Sequence, residues 1–422
     1  MQEQSRISVG LDIGTSKVRA VVGQFGPRDN EGATDVPTIV GVGEASVSGG
    51  LRKGVVVNLN AVAQAVDEAL AGVERMTGRQ IEGSSISING SHITSSLTRG
   101  RISIGNGGEI REEDLLRVED DAAAVANVDA NHEILDIIPS SYGIDGNDNV
   151  KDPRGMKGIR LEVDAHVVTA LTPNIQNLQK SFEIAHVGIH RIIPAGLAAA
   201  RACLTRQQRE NGVVMIDIGA STTNVVVYEE GELAHVSVLP VGGINVTNDL
   251  ALVLKTDFDI AEQLKLQHSV AGPSYRKDGS VNLSVKIDKQ LHSFPAETVD
   301  EIVEARIEEL FQLVNRELSR IGKNGRLPGG AVLAGGTANL RGIVDYAKDA
   351  LSLPARVAIF DGAEAIPDSA KDPSYMAAFG LMLMDTQPGS STNATKSGKR
   401  SIGNASGKAG GILSGLIKKF KS

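Results

Sequence analysis

Two short stretches of this chain place the same kinds of residue at the same spacing: LDIGTSK at Leu11–Lys17 and IDIGAST at Ile216–Thr222. They align without a gap, so Asp217 takes the place of Asp12 and Gly219 that of Gly14. A tight turn of this composition directs successive backbone N–H groups into one concavity that suits phosphate oxygens, and Thr15, Ser16, Thr222 and Thr223 add hydroxyl donors. Lys17 adds a positive charge. A carboxylate facing a phosphate directly would be repelled, so the natural role of Asp12 and Asp217 is to orient water around a magnesium ion that bridges the phosphates. The implied ligand is a magnesium-bound nucleotide.

A lone Asp-x-Gly turn is usually an ordinary hairpin. The inference gains from the repetition and from a third element, VLAGGTANL at Val332–Leu340, where a small apolar strand runs into Gly335 and Gly336 and then a helix. Without a Cβ, glycines at such a junction let the backbone approach a flat base or a ribose closely.

The elements that must position these residues follow from periodicity. Ile7, Val9, Leu11 and Ile13 alternate as in a half-buried strand, Val213–Ile218 is the continuous apolar run of a central one, and apolar residues resume after each turn at Val18–Val22 and Val225–Tyr228. Each motif is therefore strand, turn, strand. Val62, Val66, Ala69, Leu70, Val73 and Met76 share one helical face that stops at Gly78. From Ser84 the texture changes. Two strands, a helix with an acidic first turn (REEDLLRVEDDAAAVAN) and a strand pair in HEILDIIPSSYGIDG suggest a small inserted α+β subdomain, closing with VKDPRGMKGIRLEVDAHVV. A helix around Asn174–His186, the strand IHRII and the small-residue helix AGLAAARACL return to the main layer. This last helix can cross between the halves. Beyond the second turn we expect a helix from about Asn245, a short helix with Glu262 and Lys265, a hairpin over Tyr275–Ile287 turned at Lys277-Asp278-Gly279-Ser280, a long helix Ala296–Ile321, and a closing helix Tyr375–Met384.

At 422 residues with 41% hydrophobic and 22% charged content, the chain can bury cores for two or more domains. The sole cysteine, Cys203, cannot form an intramolecular disulfide and no secretory signal precedes the first strand, so a reducing cytoplasm is expected. No apolar run reaches membrane-spanning length, and the histidines lack the spacing of a zinc site. The net charge of −8 hides an asymmetry: after Asp385 there are seven Lys and Arg and no acid, leaving a more acidic body with a basic tail. An acidic body argues against nucleic acid as the main partner, whereas a basic tail suits an anionic surface.

Residues 386–410, rich in Ser, Thr, Asn and Gly, read as a flexible linker with an r.m.s. reach of roughly 25–30 Å. In 411–422, Ile412, Leu413, Leu416, Ile417 and Phe420 fall within a helical arc of roughly 140°, with Lys418, Lys419 and Lys421 outside it. Such a segment suits an interfacial membrane helix that binds marginally as one copy and firmly when several are tied into an assembly.

Together, the two Asp-x-Gly hairpins, the small-residue helix between the halves and the Gly-Gly element resemble the actin and heat-shock-chaperone ATPase superfamily. The insertion ending in DPRGMKGIRLE and the basic amphipathic C-terminus resemble the FtsA family of bacterial cell-division proteins. The resemblance implies an α/β, actin-like two-lobed ATPase fold of duplicated ribonuclease-H-like domains. Residues 1–83 and 163–196 would form subdomain 1A, 84–162 the inserted 1C, 197–244 and 310–385 subdomain 2A, and 245–309 subdomain 2B. It further implies ATP and Mg2+ in the cleft. Gly14, Thr15, Ser16 and Lys17, with Gly219, Ala220, Ser221, Thr222 and Thr223, would hold phosphates. Gly335, Gly336 and Thr337 would approach adenosine, Glu262 and Lys265 the ribose and base, and Gly243 would also line the nucleotide site.

The same resemblance implies self-association into filaments on anionic inner-membrane lipid at the division septum. The tail peptide of FtsZ would bind on 2B, where we assign Arg306 to its acidic groups, and later division proteins would bind through 1C. Where chaperone ATPases and MreB carry a water-orienting glutamate, this chain has Ala195, so no catalytic residue is assigned and ATP is expected as a structural ligand with slow or absent hydrolysis. The competing readings are a sugar kinase or phosphatase of the same superfamily and a pilus-assembly actin homologue.

Overall fold

A computed structural model describes residues 6–26 and 36–385. The expected linker and amphipathic segment, with Ile412, Leu413, Leu416, Ile417, Lys418, Lys419 and Phe420, lie outside the described residues.

The first Asp-x-Gly turn joins β1 (Arg6–Ile13) to β2 (Lys17–Phe25), which turns back into β3 (Thr38–Ser46), all antiparallel. A small hairpin, β4 (Leu51–Arg52) and β5 (Val55–Val56), leads into α1 (Leu59–Thr77). The Asn58 side chain caps the start of α1 by accepting from Ala61 N–H, and Gly78 closes its end. The expected apolar face is buried except for Met76, which is 55% exposed because it sits in the last turn, past the sheet it would cover. β6 (Gly83–Ile88) then pairs in parallel with β1.

That pairing corrects the expected insertion boundary at 84. The serines of β6 look like a solvent face, but Ser84, Ser85 and Ser87 are buried and the strand belongs to the first sheet. The insertion proper holds β7 (Thr94–Ser103), α2 (Glu112–Val125), β8 (His132–Ile144), β9 (Asn147–Val150) and β10 (Arg160–Leu171), with sheet order β7-β10-β8-β9. β10 stays in this sheet to Leu171, past the expected return at 163. HEILDIIPSSYGI is one long strand rather than two, because its turn comes only at Asp145 and Gly146, both with positive φ. A separate core, centred on Val118, Leu161, Val163 and Ala165, holds the insertion together.

The chain returns through α3 (Thr172–Ile184), β11 (Gly188–Pro194), α4 (Ala195–Cys203) and α5 (Arg206–Asn211). The second half then repeats the first. β12 (Val213–Ile218), β13 (Thr223–Glu229) and β14 (Glu232–Leu239) form an antiparallel meander around the second Asp-x-Gly turn. Next come α6 (Gly243–Leu254), α7 (Phe258–His268), β15 (Asn282–Ile287), β16 (Gln290–Pro295), α8 (Ala296–Arg320), β17 (Ala331–Ala334), α9 (Ile343–Leu351), β18 (Ala355–Val357) and α10 (Met376–Asp385). The two main sheets, β11-β6-β1-β2-β3 and β14-β13-β12-β17-β18, share one topology: an antiparallel meander whose first strand is extended by two parallel strands.

Two local expectations in this half are corrected. The β15–β16 hairpin turns at Asp288-Lys289, both left-handed at φ 49° and 68°, not at Lys277–Ser280, where Asp278 instead accepts from Ser280 N–H. A two-residue turn with both residues left-handed is the hairpin type usually signalled by Asn-Gly or Asp-Gly, a signal absent here. α6 starts at Gly243 because Asn245 is not its cap but reaches back to accept from Gly242 N–H at 3.0 Å.

α4 and α10 lock the halves together. α10 packs on β1, β6 and β2 of the first sheet, α4 on β12 and β13 of the second, and the two helices pack on each other. Their contact is so close that a Cβ on Gly380 would lie 1.7 Å from the Ala198 carbonyl oxygen. β12 is buried on both faces: Val213 and Met215 join the core shared with α4 and α10, while Val214, Ile216 and Ile218 join the core under α6, α7 and α8.

Candidate functional site

The two Asp-x-Gly turns are built alike and meet. Gly14 N–H donates to the Lys17 carbonyl at 3.1 Å, and Gly219 N–H to the Thr222 carbonyl at 2.9 Å, so the same residue pair closes each turn. Thr15 and Ser221 share a hydroxyl hydrogen bond of 2.7 Å across the halves, and Asn89, at the end of β6, donates to the Thr222 hydroxyl at 3.1 Å. Thr223, expected among the mouth hydroxyls, instead donates to the Val241 carbonyl at 2.8 Å and is fully buried. As the first residue of β13, its side chain falls on the inner face.

Both carboxylates are half-buried beside their turns. Ser87 donates to Asp12 at 2.8 Å while accepting from Ile13 N–H at 2.7 Å, and Asn224 donates to Asp217 at 2.9 Å. Burial pushes Asp12 above the usual carboxylate range, partly offset by Ser87 and Arg19. Asp217 is pushed up to about 6, by burial first and then by the charge of Asp12, with Asn224 and Arg19 opposing. Two half-buried carboxylates close enough to repel one another fit a bridging divalent cation. Among the described residues no group of three His, Cys, Asp or Glu gathers as direct ligands.

Against the second turn lies a cluster drawn from three elements. The N–H groups of Gly243 and Ile244, opening α6, donate to the Gly219 and Ala220 carbonyls at 3.0 and 2.7 Å, and the Thr337 hydroxyl also donates to Gly219 at 3.2 Å. Lys265 reaches the Gly243 carbonyl at 3.2 Å, Thr247 at 2.8 Å and Glu262 at 2.7 Å. Gly335, with φ +84°, runs so close that a Cβ would stand 2.4 Å from the Ile218 carbonyl oxygen and 2.6 Å from Asp217 Oδ1. Only glycine fits there. The expected helix after Gly335-Gly336 is a 3-10 turn, Gly336–Asn339, before α9 begins.

Candidate residues of the two turns, of α6 and α7 and of the Gly-Gly element thus converge, but besides the inward-facing Thr223 two others stand apart. Lys17 turns along the strand to pair with Glu44 on β3. Arg306 lies elsewhere, paired with Asp249 at 2.7 Å and with Glu309. A guanidinium already held by two carboxylates is a poor free receptor for a third. Sequence reasoning also missed four residues. Ser87 and Asn89 look like ordinary strand polar residues, and Arg19 like one of many exposed cations. Asn224 brings an amide near the start of α4, beside Ala195, since a Cβ on Gly196 would lie 3.3 Å from the Asn224 amide carbon. The detectable signal for Arg19 and Asn224 was register: each is the cross-strand partner of its aspartate.

Residues 214–380 match the family model described as cell division protein FtsA, and residues 90–169 that described as the SHS2 domain inserted in FTSA. Among curated relatives, the cell division protein FtsA of Pseudomonas aeruginosa is 34% identical over 389 residues, spanning 91% of this chain and 90% of that protein. That of Bacillus subtilis is 34% identical over 385 residues, spanning 90% and 83%, and that of Escherichia coli K12 is 33% identical over 385, spanning 89% and 90%. Among solved structures, the PilM-PilN type IV pilus biogenesis complex aligns with a TM-score of 0.64 at 17% identity, covering 90% of this chain and 99% of that one. MreB5 of Spiroplasma citri bound to ADP aligns with a TM-score of 0.52 at 13% identity, covering 93% and 98%. At such identities the likeness shows the fold alone: this chain is actin-like, and its own SHS2 insertion lies between β6 and α3.

Proposed function

The chain belongs to the FtsA family of cell division proteins, and from that premise we propose that it binds ATP with Mg2+ between its two halves and polymerises on the inner membrane, tethering FtsZ filaments there. It is an actin-like cell-division protein; the ligand, the membrane and the partners are our reading. The observation that carries the reading is the meeting of the two Asp-x-Gly turns, joined by Thr15 and Ser221 at 2.7 Å, beside the cluster of Gly243, Glu262, Lys265 and Thr337. Asp12 and Asp217 would hold magnesium through water, and the bound ion would supply charge neutralisation for the phosphates. Gly14, Thr15, Ser16, Gly219, Ala220, Ser221 and Thr222 would hold phosphates, and Gly335, Gly336 and Thr337 the adenosine. The MreB5 structures were solved with ADP and with AMPPNP, which supports an adenine nucleotide by fold analogy.

ATP acts chiefly as a structural ligand in this reading. Ala195 offers nothing to orient water, and the nearby amide of Asn224 is engaged with Asp217 at 2.9 Å. Membrane attachment is assigned to 411–422 and FtsZ binding to the region of α6, α7, β15, β16 and α8, with later division proteins on the insertion. No helix among the described residues is long and apolar enough to cross a membrane. Sedimentation with anionic liposomes tests the tether: full-length protein with ATP is expected in the pellet, and protein ending at Gly410 in the supernatant. Full-length protein left in the supernatant at polymerising concentration overturns the membrane reading.

A further inference from the structure

Directly opposed residues of an antiparallel pair project from one face of a sheet. Asp12 opposes Arg19 across β1–β2, and across β2–β3 Arg19 opposes Glu44 and Lys17 opposes Ser46. Asp12, Arg19, Glu44 and Lys17 therefore share the face on which Asp12 meets Asp217. Glu44 contacts both cations: it pairs with Lys17 Nζ, and its Oε2 lies 3.0 Å from Arg19 Nε. The two cations differ in freedom. Arg19 is 14% exposed and lies over the Tyr375 ring at 5.3 Å, whereas Lys17 is 41% exposed on an unbranched stem directly after the phosphate turn. An ion pair as exposed as Lys17–Glu44 is weak and exchanges readily.

We propose that Glu44 is a clamp that withholds Lys17 from the phosphates, so that nucleotide affinity is set by competition between this carboxylate and the ligand for one ammonium group. The inference rests on the nucleotide reading above. A triphosphate carries more charge than one carboxylate and wins Lys17, but it must first break the pair and then lie near an unpaired Glu44. Glu44 is a positioning residue, acting through Lys17. Its place on β3 lets the first half hold its mobile cation in register between ligands.

The test is equilibrium binding of ATP with Mg2+ to full-length wild type, Glu44→Gln, Lys17→Met and the double variant, with thermal midpoints recorded in parallel. Glu44→Gln keeps the shape and removes the charge. It is expected to tighten binding about fivefold, the scale of an exposed ion pair, and to have no effect in the Lys17→Met background. Unchanged or weaker binding by Glu44→Gln, or the same tightening with and without Lys17, overturns the clamp; the latter would mean plain repulsion of phosphate. If wild type itself binds no ATP, the nucleotide reading fails and the clamp fails with it.

Discussion

The two Asp-x-Gly turns occupy equivalent places in two sheets of the same topology, yet they have divergent chemistry. Opposite Asp12 stands Arg19, and opposite Asp217 stands Asn224. Around the first turn the strands carry Lys17, Arg19 and Glu44, all partly exposed; around the second, Ser221, Thr222, Thr223 and Asn224 are uncharged and buried. Both aspartates are raised by burial, Asp12 against Ser87 and Arg19, and Asp217, pushed up to about 6, with the charge of Asp12 added and Asn224 and Arg19 opposing. A duplicated frame supplies two equivalent backbone turns. The side chains around them differ, charged beside the first turn and uncharged and buried beside the second.

The largest effect should come from wedging the halves apart. Gly380→Val places a branched side chain where even a Cβ would lie 1.7 Å from the Ala198 oxygen, and should cost about 3 kcal/mol or more, seen as a lower urea midpoint or as insoluble protein. Gly196→Val, whose Cβ would meet Asn224 Cβ at 2.8 Å, should be milder because the overlap is smaller. Equal midpoints for the two would show that α10 is not the tighter joint.

Next, the aspartates can be compared through pH with magnesium withheld. The folded value of Asp217, about 6, lies above the ordinary 3.8, so the folded state binds the extra proton and this group's contribution falls as pH rises from about 4 through 6. Asp217→Asn should remove that slope and gain on the order of 1–2 kcal/mol over wild type at pH 7.5 in chemical denaturation. A variant less stable than wild type at that pH would show that the ionised carboxylate is not strained.

Thr15→Val removes the one hydroxyl of the first turn that reaches Ser221, and should weaken ATP binding by about 1 kcal/mol, or roughly fivefold, in the same titrations. The smallest effect concerns a tie found in the first half alone among the described residues. Asp385, ending α10, accepts from Ser85, from Val9 N–H and, at 3.0 Å, pairs with His190. Asp385 raises His190 above its ordinary value, so the stabilisation is complete below pH 6.5 and fades as pH rises through the folded value. Titration of the His190 ring by NMR should give a value above 6.5, returning towards it in Asp385→Asn.

Much of this frame was legible because it rests on backbone rules. Val213–Ile218 had to be a central strand, Gly78 had to end a helix, and the repeated Asp-x-Gly spacing announced two similar halves. What stayed hidden depended on contacts distant in sequence. Nothing local distinguishes Ser87, which braces Asp12, from a solvent-facing serine, and the small side chains that let α10 pack on β6 made that strand look like part of the insertion. Thr223, expected at the mouth, faces inward and the unexpected Asn224 meets Asp217, because strand parity, set by where the turn ends, decides which of them points at the aspartate. Arg306 carried the right charge for an acidic peptide, but only the fold reveals Asp249 beside it.

The most direct measurement is the equilibrium affinity of ATP with and without Mg2+ for wild type and Asp217→Asn. If the two carboxylates hold a magnesium nucleotide between the halves, wild type binds far more tightly with magnesium, and the variant loses at least tenfold with the metal while losing nothing, or gaining, without it. Equal affinity with and without magnesium in wild type, or no binding at all, would contradict the account.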